Sequence, residues 1–420
     1  MLGRIHVFMA PKWQLVAFSF IHVFIILFLF KSDFLNSLRY SSTGLYFDYA
    51  SQMFQGAVPY RDFPLEYPPL AILFLALPGL AGSDLSGYAI GFTVEILIFD
   101  LLGLYLIFAI SRLRGLRCGT TLSVYTLSLL ALWPVTVTRY DLIPAIVVLL
   151  AIYCFMRDKT KTSWAMLAVG TMTKLFPIIL APLFLLYSLL HRQYGRAIRG
   201  AGVFALTTLA IAIPFIVLSP GGLLESFTYQ TQRGLQIESL YASLLLVGQA
   251  LHLIETPLEF DFGSVNIAGH LADTLAKVSL FLLIFLLLIV YWYFFNAVRA
   301  ANHHDLLASD TGAQGELLNF SLLVTLVFIV FNKVLSPQYL VWLYPIVPLV
   351  SGKWKSILWG VFLAAAASTT YLFPYHYLAL LDLKVTEIVV LVSRNVLLGA
   401  MLLLLMNRFR TGAPRVQSGY

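Results

Sequence analysis

Three carboxylates, a guanidinium and several tyrosines crowd into one short stretch of an otherwise oily chain. FDYASQMFQGAVPYRDFPLEYPPL, residues 47–70, carries Asp48, Arg61, Asp62 and Glu66 among Tyr49, Tyr60 and Tyr67, soon after the apolar run WQLVAFSFIHVFIILFLF of residues 13–30. A carboxylate held in position can take the proton from a hydroxyl as its oxygen attacks, a contribution of about 10²–10⁴-fold. Asp48 is bracketed by Tyr46, Phe47 and Tyr49, and Tyr67-Pro68-Pro69 stiffens the chain beyond it. Each proline fixes φ and restrains the residue before it. The plain alternative is a solvated loop in which Arg61 pairs with Asp62 or Glu66.

Cations recur in tight turns further along. VTRYDLIP holds Arg139 and Asp141, TMTKLFPII holds Lys174, TYQTQRGLQIES holds Arg233 and Glu238, and VFNKVLSPQYL holds Lys333 and Gln338. Lysine and arginine stabilise a phosphate by charge and hydrogen bonding, without proton transfer. An anion with an apolar body at a membrane surface suggests a polyprenyl phosphate, its tail in a groove between helices and its phosphate at Lys174, Arg233 and Lys333. Snorkelling to lipid phosphate is the competing account of these cations.

The elements that must position these groups are membrane helices. The chain is 60% hydrophobic and 11% charged, against about 25% charged for a soluble domain. Its apolar runs, separated by short polar knots, suit helices that need about 20 apolar residues to cross the hydrocarbon. The spacing predicts twelve spans, near 13–30, 88–111, 119–137, 141–156, 162–175, 177–190, 201–218, 274–298, 317–331, 338–350, 355–372 and 385–406. Two apolar stretches, LAILFLALPGLAG and SLYASLLLVGQALHL, are read as interfacial rather than spanning. The chain then reads as one transmembrane domain, 1–420, with outer loops at 31–87 and 219–273 and both termini cytoplasmic.

Arg4, Lys12 and most of the basic residues fall on the cytoplasmic side in this arrangement, with only Asp158, Asp305, Asp310 and Glu316 as acids. The carboxylate stretch and the four cationic turns fall outside. The formal charge of +7 is scattered in short clusters, so nucleic acid is not an expected partner. Glu95 and Asp100 lie inside the second span, where an acid is a functional candidate by default. Cys118 and Cys154 lie near cytoplasmic helix ends and are not expected to pair. Glu259 and Asp261 faintly suggest a metal pair, but no metal or cofactor is expected.

DYASQMFQGAVPYRDFPLEYPPL, RYDLIPA, TKLFPIILAPLFLL, QTQRGLQIESLYASLL and NKVLSPQYLVWLYPIVPLV resemble the polyprenyl-phosphate-mannose-dependent α-mannosyltransferases of the GT-C fold, whose actinobacterial members build phosphatidylinositol mannosides and lipoarabinomannan. The resemblance implies an all-α polytopic membrane enzyme of the cell membrane, working on the extracytoplasmic face with a lipid-carried sugar donor and a glycolipid or glycan acceptor. It implies that a carboxylate soon after the first span is the catalytic base, here Asp48, with Asp62 as a stand-in. It carries donor-phosphate binding to Lys174, Arg233 and Lys333. Tyr60, Arg61, Asp62, Glu66, Tyr67, Arg139, Asp141, Glu238 and Gln338 complete the expected substrate-binding set.

One base and direct displacement predict inversion, since a covalent intermediate needs a second carboxylate close by. A transporter or flippase of lipid-linked sugars is the rival reading; it shares the groove and cations but needs no base. An arabinofuranosyltransferase of the same fold is a second rival, with a similar phosphate site.

Overall fold

The computed structural model describes residues 10–31, 43–303 and 310–411 and is mostly helical. Arg4, Asp305 and residues 32–42 of the first loop lie outside the described residues. The first half holds α1 (Pro11–Lys31), α2 (Gly44–Phe54), α3 (Ala71–Ala76), α4 (Leu85–Leu113), α5 (Cys118–Ala131), α6 (Trp133–Thr138), α7 (Leu142–Met156), α8 (Thr160–Thr173) and α9 (Ala181–Leu190). Then come α10 (Tyr194–Leu218), α11 (Pro220–Gln232), β1 (Leu235–Gln236), α12 (Leu240–Ala250), β2 (Leu258–Asp261), β3 (Ser264–Ile267), α13 (His270–His303), α14 (Asp310–Phe331), α15 (Lys355–Thr370), α16 (Tyr377–Leu381) and α17 (Val385–Thr411).

Helix is the expected solution for these apolar runs, because lipid offers backbone N–H and C=O groups no partner outside the segment. Among the described residues, six helices are long and apolar enough to cross a membrane: α1, α4, α10, α13, α15 with its π-helical continuation, and α17. Each coincides with one predicted span. Of the remaining predicted spans, 119–137, 141–156, 177–190 and 317–331 fall on shorter apolar helices, and 162–175 falls on the 14-residue α8. LAILFLALPGLAG forms the one-and-a-half-turn α3 and a 3-10 turn, Leu77–Ala81, and SLYASLLLVGQALHL contains the 11-residue α12.

The predicted span at 338–350 is not an α-helix. It is two 3-10 turns, Pro337–Trp342 and Val347–Leu349, almost wholly buried. Pro337, Pro345 and Pro348 lack the N–H that an α-helical ladder needs. The segment starts beside the polar turns of the site and ends where Arg114, at the far end of α4, donates to the Leu349 carbonyl at 2.9 Å and Ser351 Oγ at 3.0 Å. Non-helical backbone at such depth persists only when packed inside protein.

The helices run between two unlike ends. α4, α7 and α9 lead away from the polar turns and α8 returns to them at Lys174. Arg112, Arg114, Arg117, Arg157, Arg192, Arg196 and Arg199 collect at the other end, where Arg196 pairs with Asp158. Between the ends, Asp100 of α4 is fully buried and forms a node: His22 Nδ1 of α1 lies 2.6 Å from one oxygen and the Tyr344 hydroxyl donates to the other at 3.2 Å. His22 Nε2 meets Thr126 Oγ1 of α5 at 2.8 Å. The node ties α1, α4, α5 and the 3-10 segment together. Glu95, on the same helix, is buried with neither oxygen hydrogen-bonded. Cys118 and Cys154 are free thiols.

The two polar loops are bolted to each other. Tyr60 sits at φ +67°, a left-handed conformation unusual for a tyrosine, and its carbonyl accepts from Ser219 Oγ at 2.9 Å. A Cβ on Gly222 of α11 would stand 1.9 Å from that carbonyl. Gly222→Ala should therefore force α11 off the first loop and destabilise the protein by about 1–3 kcal/mol, read by thermal unfolding in detergent.

Candidate functional site

The first loop reaches the site through backbone contacts its sequence makes easy. Pro68 and Pro69 lead into a turn, the Ala71 N–H donating to the Pro68 carbonyl at 3.0 Å, and the Leu70 N–H donates to the Met172 carbonyl at 2.8 Å, docking the segment against the end of α8 two residues before Lys174. The Tyr60 hydroxyl donates to the Tyr67 carbonyl at 2.5 Å. Tyr46 of α2, Tyr67 and Tyr140 pack edge to face beside Arg139.

These elements enclose a cavity of about 380 Å³. Its charged lining is Glu66, Arg139, Lys174, Arg233 and Glu238, with Tyr46, Tyr67, Tyr229, Gln236 and Gln338 beside them. Leu45, Phe176, Phe260, Phe262, Phe328, Phe373 and Trp342 supply an apolar side. Lys174 Nζ is 2.5 Å from Asp141 Oδ1, which also accepts the Trp342 indole N–H at 2.7 Å. Asp141 lies behind the wall and orients Lys174, which sits 4.9 Å from the Tyr140 ring centroid. Arg233 donates to Ser264 Oγ at 3.2 Å on the three-stranded sheet β1-β3-β2, and the Nε groups of Arg139 and Arg233 are buried without an acceptor.

Lys333 does not line this cavity. Its ammonium donates to the Thr231 carbonyl at 2.7 Å and to the Arg233 carbonyl, so it fastens the turn that presents Arg233. Burial, and then the charge of Arg233, pull its pKa below the usual lysine range.

A second cavity, of about 630 Å³, lies on the other side of Glu66 and Tyr229, which line both. Tyr49, Tyr60, Arg61, Asp62, Glu225, Ser226, Thr228 and Gln232 line it. Arg61 forks onto Asp62 at 2.9 and 2.8 Å, and the Val58 N–H donates to Asp62 at 2.7 Å. Arg61, then the Val58 N–H, hold the Asp62 pKa down to about 2. A carboxylate so engaged is a weak base. Tyr229 and Glu66 lie close together on the wall that the two cavities share.

Asp48 is exposed on α2 and lines neither cavity. The helix explains it: Tyr46 and Ala50 bury one face, and Asp48 falls on the other. The sequence expectation of a catalytic carboxylate at this position therefore meets a structure in which Glu66, not Asp48, faces the cavities. Tyr60, Arg61, Asp62, Glu66, Tyr67, Arg139, Lys174, Arg233, Glu238 and Gln338 line one cavity or the other; Asp141 and Lys333 support from behind. Glu259 and Asp261 lie on an exposed strand, and no group of three or more His, Cys, Asp or Glu among the described residues is placed to hold a metal ion.

Glu238 is 1% exposed and pairs with Arg394 of α17 at 3.2 Å. Burial outweighs that pairing and pushes its pKa from 4.5 up to about 7. The folded protein thus binds this proton more tightly than the unfolded chain. The stability it lends is complete below about pH 4.5 and is lost as pH rises through about 7. Across that window the thermal unfolding temperature of the wild type should fall relative to that of Glu238→Gln.

A model of glycosyltransferase family 87 matches residues 65–330, more than half of the chain. The chain belongs to glycosyltransferase family 87. It is a multi-pass membrane glycosyltransferase, a class that moves a sugar from a donor to an acceptor. The match starts at Leu65, so Glu66 and all five cavity-lining charges fall within it. No curated protein matches the sequence of this family 87 chain. Trp342, Tyr229, Ser264 and Arg394 join the site without having been singled out by sequence. Only Arg394, an arginine inside an apolar run, carried a signal of its own.

Proposed function

We propose that this family 87 enzyme moves a sugar, mannose by the resemblance of its motifs, from a polyprenyl-phosphate donor to a hydroxyl of a glycolipid or glycan acceptor, in the GT-C fold with inversion. The observation that carries the reading is the shared wall. Glu66 stands between a cavity lined by Arg139, Lys174 and Arg233 and a polar cavity without a free cation among its described charges, since Arg61 is engaged by Asp62.

In this scheme the carrier phosphate seats on the three cations, its tail along the apolar side. The acceptor hydroxyl enters from the second cavity. Glu66 takes its proton while the oxygen bonds to the anomeric carbon, and the bond from that carbon to the phosphate oxygen breaks. Polyprenyl phosphate leaves with its charge held by Arg139, Lys174 and Arg233. Glu66 and Glu225 give the second cavity negative character, which favours a neutral polyhydroxyl group at the point of attack. The basic end of the bundle, opposite both cavities, supports an extracytoplasmic site in the cell membrane with cytoplasmic termini. The two polar loops, 31–87 and 219–273, would then be the outer loops of the single domain.

The test is purified protein in detergent with polyprenyl-phosphate mannose and a neutral mannoside acceptor. A new glycosidic product with inverted configuration supports the reading. No product, with movement of the lipid-linked sugar across vesicles, would favour the flippase.

A further inference from the structure

Arg394 has no solvent exposure and lies within α17, one of the six apolar helices. An arginine at such a position is costly and is retained with partners. Its guanidinium is committed to one short turn. Nη1 donates to Glu238 Oε2 at 3.2 Å, Nη2 to the Glu238 carbonyl at 2.5 Å, and Nε to Asn395 Oδ1 at 3.0 Å. The Asn395 amide donates to the carbonyls of Glu238 and Ser239, both at 3.3 Å, and to Ser243 Oγ at 2.6 Å. Two adjacent residues of the last helix thus hold the turn between β1 and α12.

The purpose of that grip is not packing. A buried ion pair is commonly no more stabilising than apolar side chains of the same volume. Here the pair is also incomplete: Glu238 Oε1 is buried without a hydrogen-bond partner, in a residue that lines the first cavity. A buried polar atom left unpaired carries a desolvation cost that a ligand donor can relieve. Glu238 would repel the donor phosphate, which has Arg139, Lys174 and Arg233 elsewhere on the wall. What remains to meet it is the uncharged, hydroxyl-bearing part of the donor.

We propose that Glu238 reads a hydroxyl of the donor's sugar ring through Oε1, and that Arg394 is a positioning residue that aims this carboxylate. This rests on the glycosyl-transfer reading above. It makes the last helix part of sugar selection, although its own side chains are screened from the cavity by the turn they hold. A site built to hydrogen-bond a hydroxyl discriminates strongly against the analogue that lacks it, because its own polar group is then stranded.

The experiment uses full-length protein, polyprenyl-phosphate mannose, its monodeoxy series and sugar-free polyprenyl phosphate. Wild type should lose about 10²-fold in kcat/KM on removal of one particular hydroxyl. Glu238→Gln should lose about as much with the complete donor and discriminate little against that one analogue. Arg394→Lys should raise the donor KM with a smaller change in kcat, and should not alter binding of sugar-free polyprenyl phosphate. Thermal unfolding identifies variants that simply fail to fold; Glu238→Gln is isosteric and keeps an oxygen for Arg394. Undiminished discrimination by a folded Glu238→Gln overturns the proposal while leaving glycosyl transfer intact. If wild type makes no product yet Glu238→Gln loses only the sugar-dependent part of donor binding, transfer is overturned and sugar reading stands.

Discussion

Glu66→Gln should lower glycosyl transfer by about 10²–10⁴-fold, the usual contribution of a positioned base, while polyprenyl-phosphate binding survives. The amide keeps the shape and the place beside Tyr229 but cannot take a proton. Asp48→Asn is the matched control. Asp48 lies on the exposed face of α2 and lines neither cavity, so its removal should leave most of the activity. Side-by-side transfer assays on the two variants decide between them. Loss in Asp48→Asn with activity in Glu66→Gln would return the base to the position that the motif resemblance implies.

Lys174→Met should cost both activity and stability. Lys174 is the cation most deeply tied into the wall, paired to Asp141 at 2.5 Å with Asp141 itself 1% exposed. Without the ammonium, a buried carboxylate keeps only the Trp342 indole N–H as a described side-chain donor. Stranding one member of a buried pair typically costs about 3–5 kcal/mol. The double variant Lys174→Met/Asp141→Asn removes the stranded charge and should recover much of the stability, read by thermal unfolding. Transfer should stay low, because the leaving phosphate still lacks its cation. Recovery of activity in the double variant would show that Lys174 acts only through the fold.

The long apolar helices were legible because hydrocarbon imposes a length, and each of the six falls on a predicted span. The segment at 337–349 was not, because a run buried on all sides carries no periodicity to separate α-helix from 3-10 turns; its three prolines were the available warning. Within the site, residue types were legible and roles were not. Asp48 and Glu66 both sit among aromatics, and only the register of α2 turns one of them away. Lys174, Arg233 and Lys333 look alike in sequence, yet Lys333 spends its ammonium on backbone carbonyls. Arg394 answers to Glu238 from 156 positions away, a pairing that no local pattern encodes.

The partition formed by Glu66 and Tyr229 bears on the order of events. In the proposed scheme each reactant has its own chamber, so neither must depart before the other arrives, and both meet at Glu66. Double-reciprocal plots at several fixed concentrations of the second reactant should intersect rather than run parallel, the pattern of a ternary complex and not of a glycosylated enzyme.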